Sequence, residues 1–306
     1  MKRKVISYLY DHVKESIPNH YLENKYLLSS PQFVTILQEL IDDGFLITYS
    51  LDTCCLHSLV TTLCKEAICS YLDSDYSIEI FDSIDSTNSY AKRTPSPYKR
   101  LLITNHQTSG KGRGNHSFYS PKDSGIYMSL VYPKSFIYLE QYQYPILASC
   151  AIYTALQELF DIEVKLKWVN DIYYDNAKVG GILVEDDEEQ LIIGIGLNIL
   201  NDIKDLKENT RQDISSLQLY GCSRNEIIAC IIKQFELLCN QSWQSILTLY
   251  KQQSCLLDRA IYFQVNQQTF YGKVVDIDHM GRLVVEVNNQ KQVLQSGEVH
   301  IGSIKK

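Results

Sequence analysis

Between Thr104 and Pro121 the chain reads TNHQTSGKGRGNHSFYSP, in which Gly110, Gly112 and Gly114 alternate with Lys111 and Arg113. Glycine lets a backbone approach an anion closely and turn its N–H groups toward it. The interleaved cations add charge-assisted hydrogen bonds to phosphate or carboxylate. The pattern suits a phosphate cradle, with a solvated surface loop as the plain alternative. It is neither GxxxxGK[ST] nor a GxGxxG dinucleotide fingerprint. A second run, LKWVNDIYYDNAKVGGILVEDD ending at Asp187, offers Asn170 and Asp171 just after Trp168. Asn170 could bond a base, ribose or phosphate, and Asp171 could bind a divalent cation or orient a base. An ordinary turn between strands would use the same pair. Lys178 leads into Val-Gly-Gly-Ile-Leu-Val, beside Gly180 and Gly181. Its ammonium either points into a cleft to hold a negatively charged reacting group or snorkels from a strand edge. In IIGIGLNIL, Asn198 interrupts an apolar run and needs a partner from protein or ligand. In IEIFDSIDSTNSYAKR, Ser86, Thr87 and Asn88 follow a strand and open a helix, where capping alone can explain them.

The elements that must carry these residues follow from periodicity. Apolar positions 5, 9, 13 and 17 predict a helix from Val5 to Ile17, and a second short helix fits Tyr21 to Leu28. Ser30-Pro31 reads as an N-cap followed by proline at the first helical position. Phe33, Ile36, Leu37, Leu40 and Ile41 then form one face until Gly44 stops the helix. Three helices followed by β-prone FLITYS resemble a winged helix. A helix around Leu56 to Leu72 and the polar DSDYS put a boundary near residue 77. Beyond it, strand-like runs at Leu101–Thr104, Ile126–Val131, Val164–Trp168, Val179–Val184 and Leu191–Leu200 are separated by a helix at Pro145–Phe160. A further helix, Arg224–Cys239, begins with the capping box of Ser223 and Glu226. After Leu257, alternation on both sides of the turn DIDHMG predicts short antiparallel strands and a small β-barrel. The expectation is an α+β chain of three domains: a winged-helix-like module at 1–77, a mixed α/β catalytic domain at 78–256, and an SH3-like β-barrel at 257–306.

Composition removes several classes. The 306 residues are 45% hydrophobic and 21% charged, ordinary for a folded soluble protein, and 29 cations against 36 anions give a net charge of −7. Nothing global draws the chain to nucleic acid or anionic membrane. No apolar run is long enough to span a bilayer, and Asp11 and Glu15 fall where a signal peptide would still be apolar, so a cytoplasmic protein is expected. Nine cysteines, with no CxxC, argue against a disulfide framework or a zinc site and predict reduced thiols, mostly buried. No metal-ligating cluster is predicted. Between Lys25 and Lys65 there is no Lys or Arg, while Glu39, Asp42 and Asp43 sit on or just after the helix that would enter a major groove. DNA affinity rests on neutralising phosphates, so strong DNA binding is not expected of this module.

Taken together the motifs are far more specific than singly. DSTNSYA at 85–91, HQTSGKGRG at 106–114, KWVNDI at 167–172, KVGGILVE at 178–185 and GIGLNI at 194–199 resemble, in order and spacing, the biotin protein ligase family. SGEVHIG at 296–302 resembles the end of that family's C-terminal module, and a winged helix in front is the arrangement of its repressor-type members. The resemblance implies a two-step reaction: biotin and ATP form biotinyl-5′-AMP, and biotin then passes to a lysine of a biotin carboxyl carrier protein. It implies biotin contacts from Ser86, Thr87, Asn88, Gln107, Lys111, Gly112, Arg113, Lys178 and Gly181. ATP contacts are implied for Lys111, Arg113, Phe118, Asn170 and Asn198, with Mg²⁺ accompanying the triphosphate. Lys178, Arg113 and Asp171 are the implied catalytic residues, and a homodimer is possible. Departures from the family are GKGRGN in place of GRGRxG, Phe118 in place of Trp, and KWVND in place of KWPND. Lysine keeps the charge but gives up the bidentate fork, and Phe118 offers less stacking area, so weaker nucleotide affinity or a looser loop is expected. The alternatives are a bifunctional ligase and repressor, a lipoate or octanoate ligase of similar fold, and an N-terminal module that serves only protein interaction.

Overall fold

The first helix ends sooner than its apolar spacing predicts. In the computed structural model, which describes residues 1–301 apart from 59–60, 73–74, 115, 138, 211–212, 266–267 and 296–298, α1 spans Lys2–Asp11 and Lys14 turns the chain with φ +67°. Residues expected to extend the helix instead form β1 (Ile17–Pro18), whose proline has no N–H for a helical ladder. α2 (Asn19–Tyr26) and α3 (Ser30–Asp42) follow. The cap of α3 is Ser29, one residue earlier than read from the sequence, in a capping box with Gln32, and Gly44 at φ +95° carries the chain away. β2 (Ile47–Tyr49) and β3 (Thr53–Leu56) complete a sheet of order β1-β3-β2. Val5, Leu9, Leu22, Phe33 and Leu37 fill the core of this unit.

The helix expected over Leu56–Leu72 shrinks to α4 (Lys65–Ser70). The backbone before it is spent on tertiary partners in place of a helical ladder. Thr62 N–H donates to Gly44 O, while Thr62 O and the Cys64 N–H both pair with the Asn225 amide. The central unit runs β4 (Ser77–Phe81), α5 (Thr87–Arg93), β5 (Arg100–Thr104), β6 (Gly125–Pro133), α6 (Tyr144–Phe160), β7 (Lys165–Lys167), β8 (Asp171–Tyr174), β9 (Ala177–Asp186) and β10 (Gln190–Asn198). Helices α7 (Ile203–Asn209), α8 (Arg224–Cys239) and α9 (Trp243–Gln253) follow. Its seven strands are ordered β4-β5-β6-β10-β9-β8-β7, with β4–β5 parallel and every other pair antiparallel. Alternation sorts the sheet's two faces. Leu101 and Ile103 join the core under α6 and α8, while Leu102, Val131 and Ile192 pack with Ala91 of α5 on the other side.

β11 (Ala260–Val265), β12 (Gln268–Ile277), β13 (Leu283–Val287), β14 (Gln290–Leu294) and β15 (Val299–Ile301) form an antiparallel sheet ordered β14-β13-β12-β11-β15. The turn between β12 and β13 reaches the central unit, where Gly281 O accepts from Trp168 Nε1 at 2.8 Å and His279 O from Trp243 Nε1 at 2.6 Å. The motif SGEVHIG lies partly outside the described residues, at 296–298 and 302. All nine cysteines are free, but only Cys54, Cys150 and Cys230 are fully buried, fewer than expected. Among the described residues no helix is long and apolar enough to cross a membrane.

The N-terminal unit is held by the start of α8. Asp43 O accepts from Ser223 Oγ at 2.7 Å and from Asn225 Nδ2 at 2.9 Å. Between them in sequence, Arg224 is 1% exposed and donates to Thr61 O, Asn105 Oδ1 and Gly125 O. Ser223 Oγ thus serves two partners, since it also accepts the Glu226 N–H at 3.5 Å as the cap of α8.

Candidate active site

On the side of the sheet that carries α5 lies a cavity of about 1020 Å³. Ser86, Thr87, Asn88 and Gln107 line one end, the glycine-rich segment contributes Lys111, Gly112, Arg113 and Phe118, and Asn170, Asp171, Lys178 and Gly181 line the floor toward β8 and β9. Of the biotin, ATP and catalytic contacts that the resemblance implies, Asn198 alone does not line it. It is fully buried at the end of β10, its Nδ2 donating to Ser215 O at 3.0 Å while its Oδ1 has no partner among the described residues.

The neutral end is built by local rules. Ser86 caps α5, its Oγ accepting the Ser89 N–H, so the first turn of the helix presents Thr87 and Asn88. Gln107 Oε1 accepts from Thr87 N at 3.0 Å, and Gln107 Nε2 donates to Ser120 Oγ at 2.9 Å, which fixes the orientation of the amide. Asn88 is more heavily committed. Its Oδ1 accepts from Ser129 Oγ at 2.6 Å and its Nδ2 donates to Glu185 Oε2 at 2.9 Å and Leu183 O at 3.3 Å. Both of its N–H donors are therefore spent on protein. Glu185 in turn pairs with Lys92 at 2.6 Å. Gly194 is glycine because a Cβ there would collide with the Asn88 amide.

The glycine-rich segment folds back on itself as a short hairpin. Bridges pair Lys111 with Ser117 and Gln107 with Ser120; Gly112 N–H donates to His116 O at 2.8 Å, and Gly114 takes φ +61° at the tip. Phe118 N–H donates to Gly110 O, and its ring rests so close to Gly196 that a Cβ there would lie 2.5 Å from Phe118 Cζ. Part of the ring surface expected to face a ligand is thus used against β10 and, edge-on, against Tyr127 at 6.3 Å. Arg113 Nη1 donates to Asn170 Oδ1 at 3.2 Å, which links the hairpin to the turn before β8. Asn170 is itself sewn to β9 through Ile182 O and Ile182 N, both at 2.9 Å.

Lys178 Nζ lies 2.8 Å from Asp171 Oδ1, with both side chains largely buried. Residues three apart in a strand point to opposite faces, so Lys178 and Gly181 should not share one. A bulge between Ile172 and Tyr173 changes this: Asp171 pairs Gly181 and Ile172 pairs Gly180, but Tyr173 pairs Lys178, skipping Val179. Lys178 therefore turns onto the cavity side. A Cβ at Gly181 would come within 3.6 Å of both Asp171 Oδ1 and Lys178 Nζ. Glycine keeps the space beside the ion pair open.

Several lining residues were not singled out in the sequence. Lys167 sits inside KWVND but drew no attention; its Nζ donates to Tyr173 OH at 3.2 Å. Burial raises the Tyr173 phenol to about 12, so it is neutral at physiological pH. Asp213, from the segment after α7, and Val299 and His300, from β15, close the rim. Val299 and His300 fall within SGEVHIG and Lys167 within KWVND, so those three carried a sequence signal, and Asp213 carried none. The lining holds four Lys or Arg, of which Lys178 is paired with Asp171. Lys111, Arg113 and Lys167 have no carboxylate within ion-pair distance among the described residues. In a chain of net charge −7 this concavity is a local excess of positive charge built for an anion.

Comparison with known proteins gives a family and a fold. Residues 80–198 match the model of the Biotin/lipoate A/B protein ligase family and residues 256–302 that of the biotin protein ligase C terminal domain. The bifunctional ligase/repressor BirA of Bacillus subtilis is 25% identical over 236 residues, covering 73% of each chain. The biotin–[acetyl-CoA-carboxylase] ligase of Mycobacterium tuberculosis is 26% identical over 211 residues, covering 65% of this chain and 77% of that protein. In fold, the biotin protein ligase of Aquifex aeolicus in complex with biotin and ATP superposes with a TM-score of 0.65 at 23% identity, over 74% of this chain and 98% of that one.

Proposed function

The chain belongs to the biotin protein ligase family, and from that premise we infer that it activates biotin with ATP and transfers it to a lysine of a biotin carboxyl carrier protein. One observation carries the site assignment. A single cavity joins a neutral hydrogen-bonding end, at Ser86, Thr87 and Gln107, to a cationic end, at Lys111, Arg113 and Lys178.

In this reading the ureido ring of biotin lies at the neutral end and its carboxylate points toward Lys178. A carboxylate oxygen attacks the α-phosphorus of ATP; the bond to the bridging oxygen breaks, and pyrophosphate leaves with the electron pair. Negative charge grows at the α-phosphoryl oxygens, where Lys178 and Arg113 stabilise it in a site that the hairpin shields from water. Asp171 holds the Lys178 ammonium in place, and Gly181 leaves room for the reacting groups. The acceptor lysine, as its neutral amine, then attacks the carbonyl carbon; the amide forms and AMP departs. Asn170 lies toward the nucleotide, and Asn198 supports it from behind through the segment at Ser215. Asn88 orients the pocket and, with Gly112 and Phe118, walls it. Asp171 and Asp213 are the carboxylates on the cavity wall that a Mg²⁺ carried by the triphosphate would meet. Bound there, it would neutralise phosphate charge.

The same reading divides the chain into a winged-helix-like module at 1–77, a catalytic domain at 78–256 and an SH3-like barrel at 257–306, in a cytoplasmic enzyme. Three helices with the small sheet β1-β3-β2, whose first strand lies between α1 and α2, and the five antiparallel strands of the C-terminal sheet, support those assignments. The N-terminal module is not a strong DNA binder. Its α3 has no cation, Lys2 is held by Asp43 at 2.8 Å, and Arg3 faces Glu226 and the Phe160 ring of the central unit. A gel shift on DNA upstream of biotin genes should show no salt-sensitive complex; such a complex would restore the repressor reading.

The deciding experiment is pyrophosphate release from ATP and Mg²⁺ without carrier protein. Release on adding biotin but not lipoate is expected. Release with lipoate alone would reassign the substrate.

A further inference from the structure

Resting on that reading, we infer that Lys167 binds the β- and γ-phosphates of ATP and the pyrophosphate that leaves, using Tyr173 as its support. The edge of the sheet runs β9, β8, β7, so Lys178, Asp171 and Lys167 stand on three successive strands, with about 10 Å from the first to the third. Lys167 and Asp171 are direct cross-strand partners, yet the Asp171 carboxylate is taken by Lys178. That leaves the Lys167 ammonium half-buried on the cavity wall with a phenol oxygen as its polar partner at 3.2 Å, its Nζ 5.1 Å from the same ring's centroid. No carboxylate of the described residues lies within ion-pair distance of it. A lysine kept so, partly desolvated and held by a neutral donor-acceptor, is an unspent charge awaiting an anion.

Position says which anion. Lys178 and Arg113 serve the carboxylate and α-phosphate, and the neutral pocket lies on the far side of them, over β6 and β10. Lys167 lies beyond the reacting centre, toward the open edge of the sheet. The part of ATP that extends past the α-phosphate is the diphosphate tail, which also carries most of the charge. The other molecule that must approach, the acceptor lysine, comes as a cation and has to lose its proton to react. A fixed ammonium on its path would repel it, so the acceptor is the poorer match for this residue.

The test uses Lys167→Met, which keeps the stem and removes the charge, with Lys167→Arg as the conservative variant, both in the full chain. Biotin-dependent exchange between pyrophosphate and ATP reads adenylation; transfer from supplied biotinyl-5′-AMP to the carrier protein reads the second step. In Lys167→Met the KM for ATP and the inhibition constant of pyrophosphate should rise together by about ten- to hundredfold. The KM for biotin should stay within about twofold, and transfer from the supplied adenylate should be unchanged, as expected where only a charge-assisted contact to phosphate is lost. Lys167→Arg should recover most of the ATP affinity. Wild-type constants for ATP and pyrophosphate in Lys167→Met, or a loss confined to transfer, would overturn the assignment while leaving the ligase reading intact. Absence of biotin-dependent exchange in the wild-type protein would remove the ligase reading itself.

Discussion

Two arginines face opposite demands. Arg224, at the start of α8, is sealed inside the protein and spends its guanidinium on Thr61 O, Asn105 Oδ1 and Gly125 O, joining the N-terminal unit to the strands that carry the site. Arg113, in the glycine-rich hairpin, is half-buried and spends one N–H on Asn170. Both are cations without a close carboxylate, since the nearest to Arg224 is Asp123 at 4.0 Å. The difference is in where the leftover donors lie. Arg224 gives its terminal nitrogens to two backbone carbonyls and one amide oxygen, and its Nε, without a partner among the described residues, is sealed away from any ligand, so the residue holds structure together; where donors remain beside a cavity, as on Arg113, the residue awaits a ligand.

That distinction predicts opposite phenotypes on the two sides. The largest effect is expected in the cavity. Lys178→Ala and Arg113→Ala should each lower biotin-dependent pyrophosphate release by about a hundred- to a thousandfold, the scale of losing a preorganised charge at a developing anion. The melting temperature of Arg113→Ala should stay close to wild type, whereas Lys178→Ala, which strips a largely buried carboxylate of its partner, should lower it as well. Near-wild-type rates in both would dissolve the site assignment. Arg224→Ala should do the reverse. It leaves buried carbonyls without donors and a cavity behind them, costing about 3 kcal/mol of stability, read by urea titration. Its KM values at low temperature should barely move. If instead the KM for biotin rises before stability falls, Arg224 acts through Asn105 on the segment leading to Gln107, and the contrast between the two arginines narrows.

A third variant sharpens the comparison from within the pocket wall. Gly194→Ala drives a methyl into the Asn88 amide, whose donors are fixed to Glu185 and Leu183. Overpacking of this kind costs roughly 1–3 kcal/mol, and here it should appear mainly as weaker biotin binding, because the displaced side chain lines the cavity. Isothermal titration with biotin and with ATP separately checks this; equal loss for both would mean that the whole cavity has shifted.

How far these roles could be read from the sequence depended on whether they were set locally. The cap at Ser86 and the stop at Gly44 follow from residue types within a few positions, and each forms as the chain pattern requires; the alternation of Gly110, Gly112 and Gly114 with cations predicts a loop around an anion but not the hairpin that it forms. The adjacency of Lys178 and Asp171 was legible only through resemblance, because plain strand alternation puts Lys178 and Gly181 on opposite faces and the bulge at Val179 reverses that. Lys167 and His300 lie inside the motifs KWVND and SGEVHIG, but their place on the cavity wall, like that of Asp213, comes from strand order and from a distant module, which no local spacing encodes. The missing helix over Leu56–Leu72 has the same cause: apolar periodicity was present, but Asn225 captures the backbone at Thr62 and Cys64.

The smallest effect lies just outside the cavity, where a cation does find its carboxylate. Arg93, in the last turn of α5, grips Asp85 with two bonds of 2.7 and 2.8 Å, and Asp85 leads into Ser86. The guanidinium bonds hold the Asp85 carboxyl down at about 2. A carboxyl lowered on folding contributes stability that is fully present above its unfolded pKa of about 3.9 and is lost as pH falls through its folded value. The loss should therefore fall between about pH 4 and pH 2. Both side chains are around half exposed, at 40% and 55%, so solvent screening keeps the contribution small. Arg93→Ala should remove that contribution at pH 7 and only a small remainder of it at pH 2, and urea titrations of the two proteins at both values measure it. A penalty that persisted unchanged at pH 2 would mean that Arg93 works by packing its stem and not by charge, as Arg224 partly does.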